Sequence, residues 1–238
     1  MTRALVWVAA ATALSCKPIE RISDRVTAAV TGDSPRLSSA AKSHCFGWPE
    51  RQFGRDNHAR VETFLKAGDQ AVDVALRTTD GKQTSIGALL GQGKPVLLVT
   101  ASLTCPVFHE KHPALGRTAQ KYGKDVTLAS VYLIEAHPAA PDPGPYKGRP
   151  SVHEHSDRRQ AMTIEQRLAN ARVVRPLASE VVVVDELAPG NQNPFWCTYG
   201  TCANCAFLIG TDGIIAAVHD WYDPASMEGS IASLLAAD

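Results

Sequence analysis

The chain has 238 residues, of which 45% are hydrophobic and 20% charged, so it can bury one good core and is neither disordered nor fibrous in composition. Lysine plus arginine number 24 and aspartate plus glutamate number 24. This balance argues against a nucleic acid or another polyanion as partner. The sequence contains no continuous run of 18 apolar residues, so no membrane-spanning helix is predicted.

Residues 1–16 have the layout of a secretory signal. Arg3 precedes an apolar stretch that ends at Leu14, and Ser15 and Cys16 follow. A cysteine in this place resembles the bacterial lipobox, in which the cysteine is lipidated and becomes the new N-terminus. The alternatives are another exported form, or a buried helix with an incidental cysteine. We therefore expect an exported protein of the bacterial cell envelope, either anchored in the membrane through lipidated Cys16 or periplasmic.

A tether and docking extension is predicted for residues 17–66, and one domain for residues 67–238. The stretch "TGDSPRLSSAAKS" is polar, whereas "HCFGWPERQFG" carries Cys45 and three aromatic residues that could dock on the domain. Residues 58–68 have the spacing of a short helix that ends at Gly68.

From residue 71 onward, strand and helix patterns alternate. Strands are predicted at 71–79, 94–102, 126–134, 180–186, 205–210 and 214–220, and helices at 85–91, 106–122, 163–174 and 224–236. Thr163 and Gln166 form a capping box, Pro113 should kink the second helix, and a Pro-rich loop fills residues 136–159. The order predicts an α/β fold with a central mixed sheet flanked by helices.

Cys105 lies where a buried strand passes into a helix. Pro106 suits the first helical turn, and Gly123 ends the helix. A thiol at a helix N-terminus meets unpaired N–H groups and the positive end of the macrodipole, which favours the thiolate. We therefore predict that Cys105 is a nucleophile, with Ser102 donating a hydrogen bond to its sulfur or to a bound oxygen atom. The alternative is a small core cysteine.

Glu135 and His137 follow the next strand. They are two residues apart, so in an extended chain both point to one face, which can be the face toward Cys105. A carboxylate beside an imidazole would keep it oriented and basic as a proton relay. The alternative is a surface turn.

Residues 68–108 look like the opening of a redoxin domain with a thioredoxin-like fold, of the peroxiredoxin type with an N-terminal extension. "SLTCPVF" and "VYLIEAHP" resemble the iodothyronine deiodinases more specifically. The resemblance covers roughly residues 68–235 and places Cys105 at the selenocysteine position. It matches Ser102, Tyr132, Glu135 and His137 with the family's serine, tyrosine, second glutamate and histidine. A further histidine of that family is replaced here by Ala161, and aligning back from Gly213 places Cys205 on the family's late glutamate.

The remaining cysteines allow several arrangements. Cys202 and Cys205 are not a thioredoxin motif, because they precede a strand, and Ala206 excludes a c-type haem site. Cys197, Cys202, Cys205 and Cys45 could form two disulfides, or Cys205 or Cys202 could resolve an adduct on Cys105. Two metal sites are further alternatives. One is a structural zinc site with Cys45 or a loop histidine, and the other is a site at His153, His155 and Asp157; we expect no metal at either.

The sequence thus predicts a thiol oxidoreductase in which the Cys105 thiolate attacks an iodinated aromatic compound, a peroxide or a disulfide. It would need no bound cofactor. Its partners would be a small-molecule electrophile and an external thiol or a thioredoxin-like protein, and a homodimer is compatible with the sequence. The alternative is a non-catalytic envelope scaffold or binding module whose cysteines are bridged or bound to zinc.

Overall fold

The computed structural model describes residues 61–142, 144–146, 155–187 and 193–237. The predictions for Cys16, Cys45 and His153, and those for the signal and for most of the tether, lie outside these residues.

Nine strands and five helices make up the described part of the chain. The strands are β1 (Glu62–Thr63), β2 (Ala75–Thr78), β3 (Gln83–Ser85), β4 (Val96–Ala101), β5 (Thr127–Tyr132), β6 (Val181–Asp185), β7 (Gly200–Thr201), β8 (Ala206–Ile209) and β9 (Ile215–His219). The helices are α1 (Ile86–Leu90), α2 (Pro106–Tyr122), α3 (Ile164–Ala171), α4 (Pro194–Tyr199) and α5 (Pro224–Ala237).

Seven of the strands form one mixed sheet in the order β3-β2-β6-β5-β4-β8-β9. The central strands β4, β5 and β6 are parallel, and the outer pairings are antiparallel. All six residues of β4 are buried, as expected for a strand covered on both faces. The predicted α/β fold with a mixed sheet flanked by helices is confirmed.

Alternating side chains of β4 separate the core into two layers. Leu98 packs with residues of α1 and α4 on one face of the sheet. Leu97 and Val99 pack with α2 and α5 on the other face. Near the end of the strand, Ala101 joins a third cluster on this second face, formed with α3 and the beginning of α2. This third cluster contains Cys105.

The two best-defined helix boundaries agree with the sequence. Helix α2 begins at Pro106 and ends before Gly123, whose N–H donates to Ala119 O at 2.9 Å, and Pro113 lies inside it. Helix α3 is capped by Thr163, and both reciprocal hydrogen bonds of the box with Gln166 are present.

The helix predicted for residues 58–68 is wrong over its described part. Residues Glu62–Thr63 form β1, which pairs with β7. Thr63 also donates from its N–H and its Oγ1 to Asp220 Oδ1, at 3.0 and 2.6 Å. These long-range bonds outweigh a local helical spacing. Gly200 permits the pairing, because it has a positive φ of 155° and an added Cβ would lie 2.8 Å from Thr63 Cα.

Three short elements, β3, α4 and β7, were not predicted. Helix α4 has six residues and starts with Pro194 in its first turn. Among the described residues, no helix has the length and the apolar composition needed to cross a membrane.

Replacement of Thr163 by alanine tests the capping box. Thr163→Ala removes the acceptor for Gln166 N–H, so the free energy of unfolding should fall by about 1 kcal/mol. Chemical denaturation measures the change. Thr163→Ser keeps the hydroxyl acceptor and should remain close to the wild type; an equal loss in both variants would contradict a role for the hydroxyl.

Candidate functional site

Cys105 occupies the N-cap position of α2 at the end of the turn that follows β4. Its N–H donates to Ser102 O at 3.2 Å, and its carbonyl accepts from His109 N at 3.3 Å. The residue is only 2% exposed, and it is a free thiol. The structure therefore places one reduced cysteine at the start of the long helix, as the sequence predicted.

Burial raises the pKa of the Cys105 thiol, and the charge of Glu135 adds to this effect. Hydrogen bonds from the backbone N–H groups of Phe108 and Val107 act in the opposite direction and lower it. The expected favouring of the thiolate is therefore wrong for this state of the protein. The helix N-terminus stabilises the anion as predicted, but the cost of removing the sulfur from water is larger.

Glu135 is a buried carboxylate with four hydrogen bonds. One oxygen, Oε1, accepts from Tyr132 Oη. The other, Oε2, accepts from Ser102 Oγ at 3.0 Å and from Thr104 N and Oγ1 at 2.9 Å each. Glu135 is 1% exposed, and a buried charge of this kind is stable only when donors satisfy it.

The same hydroxyl groups join the chain segment before Cys105 to the segment after β5. Ser102 Oγ accepts from Ala136 N and Thr104 Oγ1 accepts from His137 N, both at 2.9 Å. The two sequence motifs are thus bound together by their own polar residues. The Ser102 hydroxyl donates its hydrogen bond to Glu135, so the expected hydrogen bond from Ser102 to the Cys105 sulfur is wrong in this state. Thr104 was missed, although its place between Ser102 and Cys105 was a signal.

His137 is held near Cys105 by its backbone, but Glu135 does not orient its ring. No hydrogen bond joins the two side chains within the part of the chain that the structure describes, because the donors named above occupy Glu135. That expectation is corrected. Burial lowers the pKa of His137, so its imidazole is neutral at neutral pH. A neutral imidazole can accept a proton.

Tyr132 and Tyr146 are the two buried phenols of this region. Burial first, and then Glu135, raises the pKa of Tyr132 well above its usual value, so it remains a donor. Tyr146 was missed because it lies in the Pro-rich loop, where no periodicity marks it. Its ring centroid is 6.3 Å from that of His137 and 6.1 Å from that of Trp196.

Cys202 and Cys205 form a disulfide with a Cα–Cα distance of 5.6 Å. Thr100 of β4 holds this turn, because its Oγ1 accepts from Cys205 N at 2.8 Å and donates to Cys202 O at 3.1 Å. Both sulfurs lie in the core cluster on the other face of the sheet from the cluster of Cys105. Cys202 and Cys205 are therefore bonded to each other rather than offered as free resolving thiols. Cys197 is also disulfide-bonded.

His109 and His112 lie on α2, and His155 lies next to His109. His109 Nε2 is 2.6 Å from Leu103 O, His112 Nε2 is 3.0 Å from Glu180 Oε2, and the rings of His109 and His155 are 5.5 Å apart. In residues 61–142, 144–146, 155–187 and 193–237, no three His, Cys, Asp or Glu side chains form a metal-binding group.

A comparison with protein families identifies the chain. The model of the iodothyronine deiodinases matches residues 7–217. The chain belongs to the iodothyronine deiodinase family. The match includes Cys105, Glu135 and His137, so the predicted family is confirmed.

Solved structures similar to this deiodinase-family chain share its fold at low sequence identity. A hypothetical protein from Sinorhizobium meliloti 1021 has a TM-score of 0.50 at 14% identity, over 73% of this chain and 86% of that chain. An exposed lipoprotein thioredoxin from Streptococcus pneumoniae has 0.46 at 16%, over 68% and 100%. Peroxidoxin BcpB from Mycobacterium tuberculosis has 0.43 at 14%, over 72% and 97%. The thioredoxin-like fold predicted from the sequence is confirmed.

Ala161 and Cys205 are the two positions at which the sequence departs from the deiodinase pattern. Ala161, at the place expected for a further histidine, is 4% exposed and offers no titratable group. His155 lies near His109 instead, beside a cavity of about 380 Å³ that Leu103 and Phe108 also line.

Replacement of Glu135 by glutamine tests its role in this deiodinase-family site. In Glu135→Gln the side-chain NH2 group, a hydrogen-bond donor, would face the donors that now bind the carboxylate. The free energy of unfolding should therefore fall by about 2–4 kcal/mol. Loss of the negative charge should also lower the pKa of Cys105. The pH dependence of Cys105 alkylation and denaturant unfolding measure the two effects.

Glu180→Gln is the matched control. Glu180 is also buried and accepts from Leu177 N at 2.9 Å, but its charge does not contribute to the pKa shift of Cys105. It should destabilise the protein and leave the Cys105 pKa unchanged. An unchanged Cys105 pKa in both variants would contradict the electrostatic coupling between Glu135 and Cys105.

Proposed function

We propose that this protein is a thiol-dependent oxidoreductase in which Cys105 attacks an electrophile, with the carbon–iodine bond of an iodinated aromatic compound as the first candidate. The supporting observation is the free thiol of Cys105 at the N-cap of α2, bound through its neighbours to the "EAHP" segment. Membership in the deiodinase family favours iodine over the oxygen of a peroxide or the sulfur of a disulfide.

The first step is deprotonation of Cys105. Because the pKa of this thiol is raised, a small fraction is ionised at neutral pH, and a base increases the reactive population. His137 is the candidate base, since its pKa is lowered and its backbone N–H donates to Thr104, the residue before Cys105.

The second step transfers iodine. The thiolate forms a sulfur–iodine bond while the carbon–iodine bond breaks, and the electron pair of the carbon–iodine bond remains on carbon. Carbon is reduced and takes up the proton held by His137, and the sulfur is oxidised to a sulfenyl iodide. An external thiol then displaces iodide and forms a mixed disulfide, and a second thiol equivalent restores Cys105.

The surrounding polar residues hold this arrangement. Glu135, Tyr132 and Ser102 are positioning residues, because their hydrogen bonds are made to one another and to the backbone of the two segments. They fix the turn that carries Cys105 against the turn that carries His137, which is the kind of preorganisation that catalysis needs.

The proposed setting is the bacterial cell envelope, with Cys16 as the lipidated anchor. Export is supported by the signal-like residues 1–16. No bound cofactor enters the proposed steps, since a low-molecular-weight thiol or a thioredoxin-like protein supplies the electrons.

A binding or scaffold module is the second candidate, and the burial of Cys105 favours it. A cysteine that is 2% exposed with a raised pKa has the features of an inert core residue. Titration of the native protein with a thiol reagent separates the candidates. A Cys105 that reacts only after unfolding would support the scaffold.

Replacement of Cys105 by serine tests the proposed nucleophile. Cys105→Ser should reduce iodide release from 3,5-diiodotyrosine, with dithiothreitol as reductant, at least about 10³-fold, because the hydroxyl is a far weaker nucleophile. The double variant Cys202→Ser/Cys205→Ser is the matched control and should retain turnover. If iodide release were lost only in the double variant, and the wild type consumed peroxide, peroxide chemistry through that disulfide would be favoured instead.

The pH dependence of turnover tests His137. Its pKa lies below the ordinary value of 6.5, so the proposed base is present at neutral pH and is lost as the pH falls through that lowered pKa. The rate should therefore fall on the acidic side with a midpoint below 6.5. His137→Gln should lower kcat/KM about 10²–10⁴-fold and remove this acidic limb. An unchanged limb would exclude His137 as the group responsible.

A further inference from the structure

Tyr146 carries the one buried hydroxyl group near Cys105 that lacks a partner in the described residues. Its Oη is inaccessible to solvent and makes no hydrogen bond. The other buried phenols have partners: Tyr132 donates to Glu135, and Tyr199 donates to Val72 O at 2.7 Å. An unsatisfied buried polar group destabilises a fold, so its presence calls for an explanation.

The loop holds Tyr146 against both sides of the site. The ring packs against the cluster that contains Cys105 and also against the cluster on the other sheet face that contains Trp196. Gly144 lies close to the "EAHP" segment, because an added Cβ there would be 3.4 Å from Ala136 O. Tyr146 therefore packs against the cluster of Cys105, with its ring centroid 6.3 Å from that of His137.

The electrostatics connect this hydroxyl to the sulfur. Burial first, and then the charge of Cys105, raises the pKa of Tyr146 well above its usual value. Tyr146 consequently keeps its proton when Cys105 ionises, and it remains a donor. Charged or titratable groups in or beside the cluster include Tyr132 at the end of β5, Glu135, His137 and Tyr146 in the following loop, His109 and His112 on α2, and Arg167 on α3.

The thiol and the thiolate of Cys105 differ in the hydrogen-bond donors that they require. In the present state Cys105 is a buried thiol, which requires no further donor. When it ionises, the N–H groups of Val107 and Phe108 favour the anion, and burial together with Glu135 opposes it. A neutral phenol without another partner supplies the kind of donor that a desolvated anion lacks.

We propose that Tyr146 is a catalytic residue whose hydroxyl donates a hydrogen bond to the ionised sulfur of Cys105. This inference rests on the proposed role of Cys105 as nucleophile. The unsatisfied hydroxyl is a stability cost in the thiol state and becomes a favourable contact in the thiolate state. Tyr146 therefore lowers the barrier to forming the reactive anion without touching the substrate.

The test measures the pH dependence of Cys105 alkylation by iodoacetamide, with the modified peptide identified by mass spectrometry. Tyr146→Phe should shift the alkylation midpoint upward by about one pH unit, since a hydrogen bond to a charged group is lost. Its thermal midpoint should be unchanged or higher, because the removed hydroxyl had no partner in the thiol state.

Tyr199→Phe is the matched control. Its hydroxyl donates to Val72 O and accepts from Val72 N at 3.1 Å, so its removal should lower the thermal midpoint by about 2–4 °C. It should leave the alkylation midpoint unchanged. The pair separates a hydroxyl that stabilises the fold from one that stabilises the anion.

Two results would overturn the inference: an alkylation midpoint in Tyr146→Phe equal to that of the wild type, or a loss of stability as large as that of Tyr199→Phe. The alkylation assay does not depend on turnover. Absence of iodide release by the wild type would count against the proposed function alone, whereas an unshifted midpoint would count against the role of Tyr146 alone.

Discussion

The arrangement of this site depends on one buried carboxylate. Glu135 collects hydrogen bonds from Tyr132, Ser102 and Thr104, and the two hydroxyl groups of the "SLTC" turn also accept from the backbone after β5. Burial without those donors would be prohibitively costly, so the donors and the acceptor require one another. The turn before Cys105 and the turn of His137 are thereby fixed as a unit.

These hydrogen bonds determine the role of Glu135 within the proposed chemistry. A carboxylate that is saturated with donors is poorly suited to moving a proton, and its negative charge disfavours a thiolate nearby. Glu135 organises the site and at the same time opposes ionisation of Cys105. In the proposed mechanism the helix N-terminus, His137 and Tyr146 offset that opposition, so the proposed reactivity depends on several contributions rather than on the macrodipole alone.

The disulfide between Cys202 and Cys205 belongs to the opposite layer of the core. Thr100 holds both residues against β4 through its hydroxyl group. Cys105 is the N-cap of α2 and packs in a different core cluster, which also includes Ala203 of the turn between the two bridged cysteines. Thr100 thus ties the bridge to β4, whereas in the proposed mechanism the redox role belongs to Cys105.

Local signals were enough to predict the start and end of α2 at Pro106 and Gly123, the capping box at Thr163, the buried central strands and the family motifs. The pairing of β1 with β7, the partners of Glu135, the bonding of Cys202 to Cys205 and the placement of Tyr146 depend on contacts between residues far apart in the chain. The ionisation of Cys105 depends on both. The position of Cys105 at the helix N-terminus follows from a few neighbouring residues. The desolvation of its sulfur depends on side chains from distant parts of the chain, which no local sequence pattern predicts.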